Sequence, residues 1–375
     1  MTKTILILGG SMGGLSVAHG LLKKTLNTVK DYKVVLVSTS THIYWNLASI
    51  RAIVPGQFGD EKVFLEIQPG FKHYPKNSFE LIVGAASAID TTAKTVSITT
   101  ASGESSQSYD ILVIATGTRT QGDLPWKASP RGYQATKDIL HKYREQVKAA
   151  KSIVIAGGGP TGVEATGELG YEYGKAKEIT LITAAPELCD DCLPVNIARG
   201  AEKELQKLGV KITKGVKVTS STTTADGKTE LVLDNGEKKL VDLYLPTVGL
   251  LPNSEYIPKT LLDDKGYVIV DEFLKVKGVE DVWAVGDISN ADPSQFVYLL
   301  KQISAITKNL DLVIKGKQPL VYKTGGDRVI AVTLGRSKAT GRSGNFKLPS
   351  LIVWWMKGRT LGTQNIGPFV NGTAS

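Results

Sequence analysis

Two glycine runs stand where phosphate chemistry would need them. Gly9-Gly-Ser-Met-Gly-Gly14 follows the apolar run Thr4-Ile-Leu-Ile-Leu8, and Gly157-Gly-Gly-Pro-Thr-Gly162 follows Ser152-Ile-Val-Ile-Ala156. A glycine turn between a strand and a helix lets backbone N–H groups approach a pyrophosphate, and the helix dipole, about half a positive charge at the N-terminus, favours the anion. Gly157, Gly159 and Gly162 fit G-x-G-x-x-G. The first run fits in part: Gly9 and Gly14 match the outer positions, while Ser11 takes the middle one. A serine there still permits a tight turn, although its Cβ limits how closely a phosphate can come.

The acidic residue expected at the end of the second strand, which would hold a ribose 2′-hydroxyl, is absent from both units. Ser38 stands there in the first and Thr183-Ala184 in the second. A serine hydroxyl could hold a ribose more weakly. At the second site the missing negative charge removes a repulsion against a 2′-phosphate, so NADPH is admitted, with no adjacent arginine to fix the choice over NADH. Further along, Ala115-Thr-Gly117 and Gly286-Asp287 each end an apolar strand. The order glycine turn, Ala115–Gly117, second glycine turn, Gly286-Asp287 is more specific than any one of its parts. An Asp at such a strand end can accept hydrogen bonds from the polyol of a flavin's ribityl chain, which a nicotinamide dinucleotide lacks. Two cofactors in neighbouring domains could then stack ring on ring, and hydride transfer between stacked rings needs little acid–base help from the protein.

The elements that must position these residues read as one plan used twice. Strand Thr4–Leu8, a helical pattern over 15–26 and strand Lys33–Val37 make a βαβ unit; strand 152–156, a helix over 163–174 and strand Glu178–Thr183 make another. Each is followed by hairpin-like segments, 81–100 with the turn Ala101-Ser-Gly-Glu104 and 210–233 with the turn Asp234-Asn-Gly-Glu237. Each then closes on a strand, Tyr109–Gly117 or Val241–Gly249. After Gly278–Asp287 the spacing predicts a helix over 295–312, and residues 316–375 read as strands and loops ending in Ser350-Leu-Ile-Val-Trp-Trp-Met356. The expected fold is therefore α/β: two nested Rossmann-like dinucleotide-binding domains with a small C-terminal α+β region. The boundaries are 1–122 and 253–315 for FAD, 123–252 for NAD(P)H, and 316–375 for the C-terminal domain.

These residues resemble the flavoproteins with two dinucleotide-binding domains, of the glutathione-reductase-like, pyridine nucleotide-disulphide oxidoreductase superfamily. Within them they resemble the apoptosis-inducing-factor-like branch that includes ferroptosis suppressor protein and its fungal relatives. Beyond the glycine turns the resemblance rests on Tyr44-Trp-Asn-Leu-Ala-Ser-Ile-Arg-Ala52, Lys62-Val-Phe64, Val83-Gly84, residues 159–168 and Trp283-Ala-Val-Gly-Asp287. It implies an FAD-dependent NAD(P)H oxidoreductase passing a hydride to a quinone or other small acceptor. The cofactor contacts it implies, with those of the motifs, are Gly9, Gly10, Ser11, Met12, Gly13, Gly14, Ser38, Arg51, Lys62, Val83, Ala115, Thr116, Gly117, Gly157, Gly159, Gly162, Gly286 and Asp287. Glu164 is the candidate catalytic group, beside the nicotinamide and flavin; an acidic residue merely favoured by the helix N-terminus is an equal reading. Arg51 reads as a phosphate or flavin-carbonyl partner or as a surface salt bridge, and Lys62 as a solvated lysine before it reads as a cofactor contact.

Composition narrows the function classes. With 375 residues, 42% hydrophobic and 22% charged, the chain is an ordinary globular protein of two or three domains, not a disordered one. Four scattered histidines and one Cys pair make no metal site, and no 18-residue apolar stretch predicts a membrane span. Met1–Lys3 leave no room for a cleaved presequence, and Thr2 cannot be myristoylated, so a cytoplasmic protein is expected. Cys189-Asp-Asp-Cys192 lies after the second βαβ strand rather than in a flavin-facing helix, and flanking aspartates would raise the thiol pKa values, so a disulfide reductase is disfavoured. Residues 301–375 hold 12 Lys and Arg against Asp311 and Asp327, whereas residues 1–300 are nearly neutral. That tail, with Leu351–Met356, reads as a buried element, a homodimer contact, or a peripheral face for an anionic membrane or polyanion. Two rival functions follow: a biosynthetic oxidoreductase on one metabolite, and a cell-death-related flavoprotein that binds nucleic acid or a protein partner.

Overall fold

The structure, a computed structural model, describes residues 2–325 and 329–374. Its first sheet grows from β1 (Lys3–Leu8), α1 (Met12–Gly20) and β2 (Tyr32–Ser38). Ile5, Leu6 and Ile7 are wholly buried, as a strand covered on both faces requires, and the unbroken apolar run supplies them. β3 (Phe79–Asp90) pairs parallel with β2 as far as Val83 and from Gly84 onward antiparallel with β4 (Thr95–Thr100), with a register irregularity between Ala86 and Ala88; beyond β4 lies β5 (Gly103–Ser108). The reading of 81–100 as one segment therefore needs correction, because a turn interrupts it at 91–94. That turn carries no Gly or Pro; Asp90 Oδ1 makes it by accepting the N–H groups of Thr92 and Ala93, at 2.9 and 2.8 Å. β6 (Ile111–Ile114) returns beside β1.

The second unit repeats the plan. α2 (Tyr133–Ala149) leads into β7 (Ser152–Ala156), α3 (Pro160–Tyr173) and β8 (Glu178–Thr183). α4 (Val195–Lys207), β9 (Lys211–Lys214) and β10 (Leu243–Pro246) complete a parallel sheet ordered β9-β8-β7-β10. A three-stranded antiparallel sheet, 218–241, fills the connection, as in the first unit. The chain then comes back: β11 (Val282–Ala284) joins β6, so the first sheet runs β11-β6-β1-β2-β3-β4-β5. Two Rossmann-like units are thus nested, the second inserted between β6 and β11 of the first.

After α5 (Phe296–Ile314), a small antiparallel sheet of β12 (Val329–Thr333), β13 (Ala339–Ser343) and β14 (Phe346–Lys347) precedes α6 (Ser350–Val353), which continues without a break as a wider helical turn over Trp354–Gly358. The C-terminal residues reach back to the first unit: the Trp45 indole N–H donates to Leu361 O at 2.9 Å, and Phe369 packs on that ring. Among the described residues no helix is long and apolar enough to cross a membrane.

Candidate functional site

The two glycine turns adopt the same backbone. Gly9 and Gly157 both have φ +121°, a region L side chains rarely enter, and a Cβ on Gly9 would also lie 2.3 Å from Ala115 O. Gly14 and Gly162 each press so closely on the carbonyl of the first glycine that a Cβ would sit 1.9 Å from it. At the middle position the demand disappears: a Cβ on Gly159 would meet nothing within 4 Å, and Ser11 holds ordinary extended backbone (φ −103°, ψ −168°). Ser11 therefore costs the turn nothing; a glycine there matters only for what lies outside it. The hydroxyls of Ser38 and Thr183 also occupy equivalent places, each accepting the N–H two residues on, from Ser40 at 3.1 Å and Ala185 at 3.2 Å.

In the first unit these elements open onto a cleft of about 520 Å³, within the range of small-ligand sites. Gly9 through Gly13, Ser38, Ala115, Thr116, Gly117, Gly286 and Asp287 all line it. Gln302 Oε1 accepts the Gly286 N–H at 2.7 Å and so fixes the turn that projects Asp287. The Asp287 carboxylate accepts Lys127 Nζ at 2.7 Å and the Thr118 hydroxyl at 3.3 Å. Lys127 lines the same cleft, and nothing in its local sequence marks it. Gly14 lies one residue beyond the lining, packed under the turn. Val83 stands beside Ser38 in the parallel register, half-exposed, and the neighbouring Gly84, Ala85 and Ala86 face the cleft.

Val83 itself is outside the lining, and Arg51, Lys62 and Glu164 are not brought there either. Arg51 is 3% exposed and points away, donating to both Glu168 oxygens at 2.8 and 2.7 Å, to Gly358 O at 2.7 Å and to Arg359 O at 3.1 Å. Four of its five N–H donors are thus taken by protein oxygens, and its burial makes the pair with Glu168 an interior ion pair rather than a surface one. Lys62 is exposed at the end of a four-residue helix, Asp60–Val63, outside the cleft lining. Glu164 is buried, with Oε1 accepting Lys357 Nζ at 2.6 Å and the Thr333 N–H at 2.9 Å.

These pairs form a ladder along α3. Glu164, Glu168 and Glu172, spaced four apart and hence on one face, meet Lys357, Arg51 and Arg336 in turn, with Gln57 also donating to Glu172 at 3.1 Å. Burial holds the Glu168 carboxyl above the usual carboxylate range in spite of Arg51. A helix of the second unit is thereby fastened to the first unit and to the C-terminal segment.

Around the second turn, Lys214 stands beside Thr183 in the register and is shared by Glu187 at 3.3 Å and Glu202 at 2.9 Å, while Arg199 also pairs with Glu187. Cations do reach this strand end in space, then, already matched by carboxylates. Cys189 and Cys192 are free, buried thiols. Contact with the Cys192 thiol, then burial, pushes the Cys189 thiol far above the ordinary thiol range, with Asp191 adding to the shift. The Cys189 N–H donates to Gly158 O at 2.7 Å, so the pair braces the second turn.

The sequence model of the "Pyridine nucleotide-disulphide oxidoreductase" family matches residues 3–309. The chain belongs to that family. As a pyridine nucleotide-disulphide oxidoreductase it is 41% identical over 372 residues to oxidoreductase ptaL of Pestalotiopsis fici, covering 99% of each chain. It is 27% identical to ferroptosis suppressor protein 1 of Xenopus laevis, over 95% of this chain and 93% of that one. These relatives bear out the branch that Tyr44–Ala52 and Trp283–Asp287 suggest. Among solved structures, the sulfide:quinone oxidoreductase of Aquifex aeolicus shares the fold with a TM-score of 0.76 at 17% identity, covering 99% of this chain and 92% of that one.

Proposed function

We propose that the chain is an FAD-dependent NAD(P)H oxidoreductase whose acceptor is a quinone or similar two-electron oxidant. The observation that carries this reading is one glycine turn built twice, with an acidic strand end, Asp287, facing only the first. In this reading residues 1–122 and 253–315 hold FAD and residues 123–252 hold the nicotinamide cofactor. The cleft suits a flavin dinucleotide: N–H groups at the start of α1 for the pyrophosphate, a small-residue floor at Ala115–Gly117, and a carboxylate for hydroxyls opposite. Bound FAD would supply a ring that takes up a hydride and passes on two electrons.

The chain's own residues then bind and orient rather than move protons. Gly9–Gly14 and the α1 dipole take the pyrophosphate, Asp287 accepts from the ribityl chain, and Lys127 shares or yields that carboxylate. Gly159, with open space before it, leaves room for the second pyrophosphate. Glu164, locked by Lys357, acts as a positioning group beside the second turn instead of a free base. The name of the Aquifex aeolicus structure supports quinone as the acceptor class. The absence of an acid at Thr183 supports NADPH alongside NADH.

The test is anaerobic mixing of the flavin-loaded protein with NADPH or NADH while flavin absorbance is followed. Bleaching, with reoxidation on adding a short-chain quinone, is the expected result. A protein that takes up no flavin, or whose flavin stays oxidised with both nucleotides, overturns the reading.

A further inference from the structure

A second cavity, of about 780 Å³, shares no lining residue with the first. Its walls are three stretches of chain: α1 with the helical turn Leu21–Thr25 that continues it, α5, and the C-terminal residues 365–374. The two helices run parallel. A Cβ on Gly13 would meet Leu299, one on Gly20 would meet Thr307, and the Thr25 hydroxyl donates to Asp311 at 2.9 Å. The C-terminal stretch follows the same direction: the Phe369 ring lies 6.2 Å from that of Phe296, and Gly372 O, three residues on, accepts from Lys23 Nζ. His19 fixes that wall. Its Nε2 carries the proton and donates to Val370 O at 2.7 Å, which leaves Nδ1 to accept the Tyr74 hydroxyl at 2.9 Å.

This common direction sorts the lining by polarity. Leu299 and Gly13 border the flavin cleft, and at that end of the second cavity stand Phe296, Leu300 and Phe369. At the other end come Thr307 and Lys308 of α5 with Lys23 and Lys24. At 1.5 Å per residue, Phe296 to Lys308 spans about 18 Å. The polar end is short of negative charge. Among the described residues Asp311 is the one carboxylate in the lining, and it is taken by Lys315 at 2.6 Å and by Thr25. Lys23, Lys24 and Lys308 enter no ion pair among the described residues. Thr307 is 7% exposed, and its hydroxyl is buried without a hydrogen-bond partner, as few buried polar groups are. A neutral molecule would leave the lysines unanswered, and a small inorganic anion would leave the apolar end uncovered. An extended apolar body with one anionic tip answers both.

We propose that this cavity binds an amphiphilic anion, a carboxylate or phosphate monoester whose apolar chain lies along Phe296, Leu300 and Phe369 and whose charged end meets Lys23, Lys24 and Lys308. The site is separate from the flavin cleft, so the proposal does not depend on the oxidoreductase reading. The experiment is titration calorimetry of the full chain with decanoate and with decyl phosphate, both below their micelle concentrations, beside 1-decanol and inorganic phosphate. At least one amphiphile should bind at one per chain, raise the melting temperature and leave the flavin content unchanged; the tighter of the two names the head group. Decanol and inorganic phosphate should each bind at least about tenfold more weakly, since each answers half of the lining. The double variant Lys24→Gln with Lys308→Gln should weaken amphiphile binding about tenfold, and Leu300→Asn about fivefold, whereas Lys142→Gln on α2 changes nothing. Lys24, Leu300 and Lys308 are exposed, so the unliganded variants should melt with the parent. Binding of neither amphiphile, equal binding of decanol, affinity unchanged by these substitutions, or release of flavin as the amphiphile binds overturns the proposal. A chain that takes up no flavin yet binds decanoate in this pattern would refute the oxidoreductase reading and uphold the amphiphile site.

Discussion

Replacing Arg51 with methionine tests the buried ladder most directly. The substitution keeps much of the side-chain volume but strands the Glu168 carboxylate, 1% exposed, and takes donors from Gly358 O and Arg359 O. Removing one partner of a buried pair costs about 3–5 kcal/mol, because the other charge is left uncompensated. With an unfolding entropy near 2.1 cal/mol/K per residue, 375 residues translate that into a fall of about 4–6 °C in melting temperature. The pH dependence follows from the sign of the Glu168 shift. Burial already raises its pKa in the folded chain, and losing Arg51 raises it further. An acid whose folded pKa lies above its unfolded value favours folding at low pH and loses that contribution as pH rises through the folded pKa. The deficit of Arg51→Met should therefore be larger at neutral pH than on the acid side. Adding Glu168→Met should recover part of the loss, since no lone charge remains. Urea titrations of the parent, both single variants and the double variant measure all of this. A deficit below about 1 kcal/mol, a deficit that grows on acidification, or strictly additive losses would refute the reasoning.

Asp287→Ala should lose flavin on gel filtration at a loading where the parent keeps it; stoichiometric retention would remove that carboxylate from the site. Gly159→Val should fold normally, because its backbone (φ −72°, ψ 178°) suits valine and no protein atom lies within 4 Å of a new Cβ. It should stay yellow and yet be reduced slowly by nicotinamide nucleotides, whereas unimpaired reduction would place the second pyrophosphate elsewhere. Burial lowers the His19 pKa from 6.5 to about 4, so the folded chain binds fewer protons there than the unfolded one. Its stabilising contribution is complete above the unfolded pKa and declines as pH falls towards about 4, by up to about 1.4 kcal/mol per unit. His19→Gln should flatten that slope, and an unchanged stability profile would show that another group causes it.

What could be read in the sequence was what the backbone itself demands. The twin turns at Gly9 and Gly157 need positive φ, and the strand ends at Ala115 and Gly286 follow unbroken apolar runs, so local residue types announce them. The turn at 91–94 escaped notice because a side chain, Asp90, does the work that Gly or Pro usually signals. Arg51 looked like a cofactor contact because its surroundings resemble a family segment, while its partner Glu168 lies 117 residues away on a helix with its own local reasons for an acid. Lys127 gave no sign, and Lys357 read only as basic charge beside the apolar tail: each acquires its pairing only when folding brings it to Asp287 or Glu164. The segment 351–356 stayed open between a buried element and an exposed contact face, since apolar residues in a row ordinarily mean a core and only the fold turns Leu351, Trp355 and Met356 outward.

The carboxylate ladder on α3 limits how this chain can be recombined. Its rungs are answered by residues 51, 336 and 357, all outside the second nucleotide unit. A swap of residues 123–252 with a relative would thus exchange one half of three ion pairs and leave the other half behind. Grafts that carry positions 51, 336 and 357 along with the transplanted lobe should fold, while those cut at the apparent domain borders would inherit mismatched charges.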